Sequence, residues 1–140
     1  MGCNDRLMST PDPDEFSRAW LTAFNAHDLE AVLDHFHDDA VFTSPVAARA
    51  LPGSNGVVRG KEALHAYWTL ALERVPNLRV ELLGVYAGVD TLVLNYRNQA
   101  RGLACEVLNF DGTLVRQGHG TYLGSSAQTG GALTPPPAAH

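Results

Sequence analysis

The stretch Leu103-Ala104-Cys105-Glu106-Val107-Leu108-Asn109-Phe110-Asp111-Gly112-Thr113-Leu114-Val115-Arg116-Gln117-Gly118-His119-Gly120-Thr121 reads as two strands joined by a tight reversal. Asp-Gly between two apolar runs is a strong hairpin signal, because a type I′ turn needs positive φ at both central residues. With Asp111 and Gly112 in that role, Phe110 faces Thr113, Leu108 faces Val115, Glu106 faces Gln117 and Ala104 faces His119. Period-two alternation puts Ala104, Glu106, Leu108 and Phe110 on one face, shared by Val115, Gln117, His119 and Thr121. That face is largely apolar, so it is expected to be covered, with Glu106, Gln117 and His119 on its concave side. Glu106 and His119 are then diagonal neighbours, about 7–8 Å apart at the backbone. A one-residue slip would turn one strand's set to the other face.

Working outward, Thr91 to Arg97 reads as another strand. Leu78 to Leu82 alternates, and its phase slips at Leu83-Gly84-Val85, as at a bulge. Before these strands lie helices. Asp12 is a candidate N-cap, with Pro13 at the first helical position and Glu15 three residues on. Phe16, Ala19, Trp20, Ala23 and Phe24 then form one apolar face. Asp28 caps a short second helix with Leu29, Val32, Leu33 and Phe36, ended by Asp38-Asp39. Ala40 to Ser44 is a short strand stopped by Pro45, and residues 46–59 read as loop. Gly60-Lys61-Glu62 opens a third helix carrying Leu64, Trp68, Ala71, Leu72 and Val75, stopped by Pro76. Helices first and strands afterwards is an α+β order, with a curved antiparallel sheet covered on one face.

The chain has 140 residues, with 10 Lys and Arg against 15 Asp and Glu, a net charge of −5. An acidic domain has no general attraction for phosphate backbones, which argues against a nucleic-acid partner. No apolar run approaches the roughly 20 residues that span a bilayer, so no membrane partner is expected. Cys3 and Cys105 do not make a disulfide framework, and no hydrophobic signal region follows Met1, so the expected location is cytoplasmic. Residues 1–11 read as an N-terminal extension and 12–123 as one domain. Residues 124–140, rich in Gly, Ala and Pro, read as a flexible tail.

The run Trp20-Leu-Thr-Ala-Phe24-Asn25-Ala26-His27-Asp28-Leu29-Glu30-Ala31-Val32, with Phe36-His-Asp38-Asp39-Ala40-Val-Phe42 and Gly60-Lys61-Glu62-Ala63-Leu64, resembles the NTF2-like superfamily. Within it the chain resembles SnoaL-like proteins and relatives of ketosteroid isomerase, over about Asp12 to Leu123. The resemblance implies a cystatin/NTF2-like α+β roll, whose sheet wraps the N-terminal helices into a cone-shaped apolar pocket. Trp20, Phe24, Phe42, Trp68, Leu94 and Leu108 would wall it. Ketosteroid isomerase combines a carboxyl base with two proton donors, a tyrosine and a protonated acid. On the matching positions its base falls on Ser44, its tyrosine donor on Trp20 and its acidic donor on Glu106. One of the three roles is kept, which argues against steroid isomerisation while retaining an acidic pocket group. SnoaL-like cyclases use an aspartate and a histidine in the cavity, parts that Glu106 and His119 could play.

Other candidates carry less. On a helix His35 and His37 would point about 200° apart, so they do not form a metal site. His65 reads as a surface residue, and Cys105 has the opposite parity to Glu106. Tyr96 shares parity with Leu92 and Leu94 and so faces inward. The functional expectation is a protein binding a small apolar molecule in its cone pocket, with a lean towards a cofactor-independent acid–base enzyme of isomerase, cyclase, dehydratase or hydrolase type. Glu106 and His119 would be catalytic. Trp20, Phe24, Phe42, Ser44, Trp68, Tyr96, Leu108 and Gln117 would contact the ligand. The alternative is a non-catalytic binding or dimerisation module. The outer sheet face, with Val93, Val107, Arg116 and Tyr122, suggests a homodimer.

Overall fold

A computed structural model describes residues 10–124. The expected tail, apart from Gly124, and the first nine residues lie outside that range. Helix α1 spans Pro13–Asn25. It starts as the sequence predicts, with the Asp12 carboxylate accepting the Glu15 backbone N–H at 3.0 Å. Phe16, Ser17, Trp20 and Ala23 are its buried positions. Each large apolar side chain buried in this way contributes about 1.5–3 kcal/mol. The break after α1 is tied to the sheet. The Asn25 amide accepts from Val80 N at 2.8 Å and donates to Val80 O at 2.9 Å, and His27 Nε2 lies 2.7 Å from Leu78 O.

Helix α2, Leu29–Leu33, is capped by Asp28, which accepts the Ala31 N–H at 3.1 Å. It is shorter than expected. Strand β1 is Phe36–Thr43, so Phe36 and Asp38-Asp39 belong to the sheet and not to a helix. The sheet takes the chain directly after Asp34, where the His35 carbonyl accepts Val115 N–H at 2.8 Å. Phe36 then buries edge-on against Trp68, with ring centroids 5.7 Å apart. The expected loop 46–59 also contains structure. Helix α3 is Pro45–Ala50 and strand β2 is Val57–Arg59. Ser44 caps α3 by accepting Val46 N–H at 3.1 Å.

Helix α4, Lys61–Arg74, buries Leu64, Tyr67, Trp68 and Ala71. Strands β3 (Val80–Gly88), β4 (Thr91–Asn98), β5 (Leu103–Asp111) and β6 (Leu114–Tyr122) follow. The phase slip seen in the sequence is a register shift between Leu82 and Gly84. The sheet order is β2-β1-β6-β5-β4-β3. Its pairs are antiparallel except β1·β6, which is parallel, so the sheet is mixed where an antiparallel one was expected. The helices cover its concave face, and the core is continuous between them.

Candidate active site

The β5–β6 hairpin positions the site, and it differs from the expected one in two ways. Asp111 pairs with Leu114, so the two-residue loop is Gly112-Thr113. Gly112 has φ +69, as the first loop position of a type II′ turn requires. This change alone moves partners by two residues and keeps every side chain on its predicted face. The second difference reverses faces. Phe110 pairs with Val115 but Asn109 with Gln117, so Arg116 is an extra residue in β6. Such a bulge shifts alternation by one. Arg116 leaves the ladder, and its guanidinium bridges Asp39 at 2.6 Å and Asp111 at 3.0 Å.

Beyond the bulge Gly118, Gly120 and Tyr122 turn inward, and Gln117, His119 and Thr121 turn outward. The expected convergence of Glu106, Gln117 and His119 is therefore corrected. Glu106 faces Gly120, and His119 faces Val107 on the outer side. There His119 Nδ1 lies 2.7 Å from Thr43 Oγ1, and Gln117 is exposed. The same bulge removes Tyr122 from the outer face, where a subunit contact was expected.

Glu106 keeps its predicted face and is 6% exposed. Leu94 on β4 and Gly120 on β6 are its direct neighbours. Tyr96 pairs with Ala104, and so does Tyr122 from the other side. Both tyrosines are therefore diagonal to Glu106, at the spacing of about 7–8 Å that long side chains bridge. The Tyr96 phenol donates to Glu106 Oε1 at 3.3 Å. Burial pushes the Glu106 carboxyl up to about 8, with the Tyr96 hydrogen bond opposing it. Burial, then the neighbouring Glu106, holds Tyr96 well above the ordinary phenol range.

Two further phenols complete the group. Burial pushes Tyr67, on α4, up to about 12, and raises Tyr122 further. Each is coupled to Glu106, which raises it, and to Arg49, which lowers it. Neither phenol oxygen has a hydrogen-bond partner. The Ser44 hydroxyl beside both phenols opposes burial at each, and at Tyr67 it is the strongest influence after burial.

The apolar residues expected around the ligand are core. Trp20 stacks obliquely on Phe24 at 5.0 Å and on Tyr96 at 5.8 Å, and Phe42 meets Trp68 edge-on at 5.4 Å. Leu108 is fully buried and Ser44 is 4% exposed. Phe24 and Trp68, with Leu29, Ala71, Leu72 and Leu78, line a cavity of about 10 Å³, room for one water at most. A cavity of about 370 Å³ touches Ala104, Cys105, Thr121 and Tyr122 at the end of the hairpin. Glu106 lines neither of these.

His35 and His37, on or beside β1, are engaged separately. His35 packs against Phe16 at 4.8 Å, and burial lowers its pKa. His37 Nε2 lies 3.0 Å from Asp111 O. Among the described residues no group of His, Cys, Asp and Glu is arranged to hold a metal ion, and no helix is long and apolar enough to cross a membrane. Tyr67 and Tyr122 were missed from the sequence. Tyr67 lies on the Leu64–Ala71 stripe. Tyr122 was hidden by the bulge, whose trace is Gly118 and Gly120 inside a strand.

The order of elements and the mixed six-stranded sheet define a cystatin-like, NTF2-like α+β fold. A SnoaL-like domain matches residues 17–123, and the chain belongs to that family. A SnoaL-like protein of unknown function from Burkholderia thailandensis is 38% identical, over 80% of this chain and 94% of that one, with a TM-score of 0.76. A putative polyketide cyclase from Sinorhizobium meliloti is 13% identical, over 76% and 94%, with a TM-score of 0.63. TerC, co-crystallised with polyporic acid, is 13% identical, over 79% and 90%, with a TM-score of 0.66. At that identity the last two likenesses concern the fold. Among curated proteins none matches.

Proposed function

We propose that this SnoaL-like protein binds a small apolar molecule and moves a proton on it without a cofactor, with Glu106 as the group that takes and returns the proton. The observation that carries this reading is the buried Glu106 carboxyl on the covered sheet face, the one buried carboxyl among the described residues, hydrogen-bonded by Tyr96. A desolvated carboxylate is a stronger base than one in water, and one titrating near neutral pH is suited to proton transfer. The Tyr96 hydrogen bond favours the ionised form, so it supports the base role. Isomerisation, cyclisation and dehydration all contain such a step. The putative polyketide cyclase of the same fold is consistent with that class. His119, on the outer face, has no part in it. In this proposal the working unit is a cytoplasmic homodimer.

The test uses 2-tetralone, an apolar ketone with acidic C–H bonds, in deuterated water. The wild type is expected to accelerate its hydrogen–deuterium exchange, read by NMR, and Glu106→Gln to abolish the acceleration. The catalysed rate should rise with pH and level above about 8, as the carboxylate forms. Absence of acceleration in the wild type, or equal acceleration by Glu106→Gln, would leave the second reading, a non-catalytic module. That reading is favoured by the near-complete burial of Glu106.

A further inference from the structure

Glu106 and Tyr96 satisfy each other, but the polar groups across Gly120 do not. Gly120 lies between Glu106 and Ser44. A Cβ on it would stand 3.5 Å from Ser44 Oγ and 3.5 Å from the Phe42 ring edge, so Glu106 and Ser44 flank the same glycine beside Phe42. At the Ser44 end are the phenols of Tyr67 and Tyr122, each with a buried oxygen that has no partner. Burial holds both as neutral phenols, so each has a proton to donate. Ser44 Oγ already accepts from Val46 N, which leaves its own proton to give. The exposed Arg49, on α3, acts on both phenols as a positive charge. The cluster is thus rich in donors, and Glu106 stands across the glycine from it.

We propose that Tyr67, Tyr122 and Ser44, with Arg49 at the rim, form a subsite for an anionic oxygen of the ligand, so that the bound molecule is an apolar body carrying a carboxylate or an equally acidic group. Hydrogen bonds to a charged acceptor are roughly twice as strong as neutral ones. Donors held in a low-dielectric interior therefore select an anion over a neutral oxygen of the same shape. This inference rests on the proposed function for the existence of a ligand. It deepens that reading by assigning the second end of the molecule.

The probes are 2-naphthoate and 2-naphthamide, equal in size and different in charge, with binding read by calorimetry at pH 7. The wild type is expected to prefer the naphthoate by about tenfold or more, the factor that 1.4 kcal/mol gives. Tyr67→Phe, Tyr122→Phe and Arg49→Gln should each reduce that preference several-fold. Glu106→Gln should keep it. The phenylalanine variants retain the rings, and circular dichroism confirms that each variant is folded. Equal binding of the two probes, binding of neither, a preference that survives all three substitutions, or its loss in Glu106→Gln would overturn the subsite. Ketone exchange by wild type that depends on Glu106, with no anion preference, would sink the subsite alone. An anion preference with no exchange would sink the enzymatic reading alone.

Discussion

Replacing Glu106 with Gln tests the buried carboxyl through stability as well as through rate. The substitution keeps shape and hydrogen-bonding capacity and removes the charge. In the folded chain the carboxyl titrates at about 8, against 4.5 for the free group. Between those values the native state holds a proton that the unfolded state has lost, so stability falls as pH rises. Below 4.5 both states are protonated and nothing is lost. Above about 8 both are ionised and the loss levels off. At 1.36 kcal/mol per pKa unit, the carboxylate costs about 5 kcal/mol at the plateau. A domain of this size is stable by about 5–15 kcal/mol, so the loss is a large share of the total. Urea unfolding of the wild type and Glu106→Gln, from pH 5 to pH 9, reads it directly. Most other titrating groups cancel in the difference between the two proteins. The variant should be close to the wild type at pH 5 and several kcal/mol more stable at pH 9. A difference that stays flat across this range would refute the assignment of a protonated, desolvated carboxyl to Glu106.

Three further outcomes follow from the packing. Tyr67→Phe and Tyr122→Phe each remove a buried hydroxyl that has no partner. Thermal unfolding should show each variant as stable as the wild type or about 1 kcal/mol more so, since an unsatisfied polar group costs about 1–3 kcal/mol. A loss above that size would mean that the hydroxyl is bonded. Gly118→Ala brings a Cβ to 2.9 Å from the Phe42 ring and 3.3 Å from Leu108. It should cost about 1–3 kcal/mol in urea unfolding, and more than Gly120→Ala, whose nearest contacts are at 3.5 Å. Asn25→Ala leaves both the N–H and the C=O of Val80 without the side chain that binds them. It should cost about 2–3 kcal/mol, with faster amide exchange at the start of β3. Unchanged exchange there would mean that water replaces the amide at no cost.

The elements that the sequence made legible are those whose signals are local. The Asp12 cap, the break at Asn25, the Gly84 bulge and the alternation of β4 and β5 depend on residues a few positions apart, and the structure reproduces them. The start of β1 is not local. Phe36 suits the apolar stripe of α2 as well as it suits a strand, and pairing with Val115, far along the chain, decides between them. The segment 46–59 carries Pro and Gly, which pointed to loop. The preceding Pro45 serves as the first residue of α3, and Ser44 as its cap.

The site turns on one residue of β6. Were β6 regular, His119 would share the inner face with Glu106 and the pocket would hold an imidazole. Arg116 drops out of the ladder to reach Asp39 and Asp111, and everything after it reverses. In exchange for His119 the inner face receives two glycines and a tyrosine. Gly118 is needed because the Phe42 ring already fills the place of its side chain. Gly120 brings the β6 backbone between Glu106 and Ser44, with the Phe42 ring and Ser44 in contact range of its missing side chain, and Tyr122 brings a hydroxyl to Ser44's side of it. Among the described residues, the chemistry this face places around Glu106 is phenol and serine hydroxyls, with the buried Asn98 amide at the end of β4. Such a set can shift a proton and hold an oxygen, and it offers no imidazole to relay a second proton at neutral pH. That restricts the proposed reaction to steps in which a single group takes the proton and gives it back.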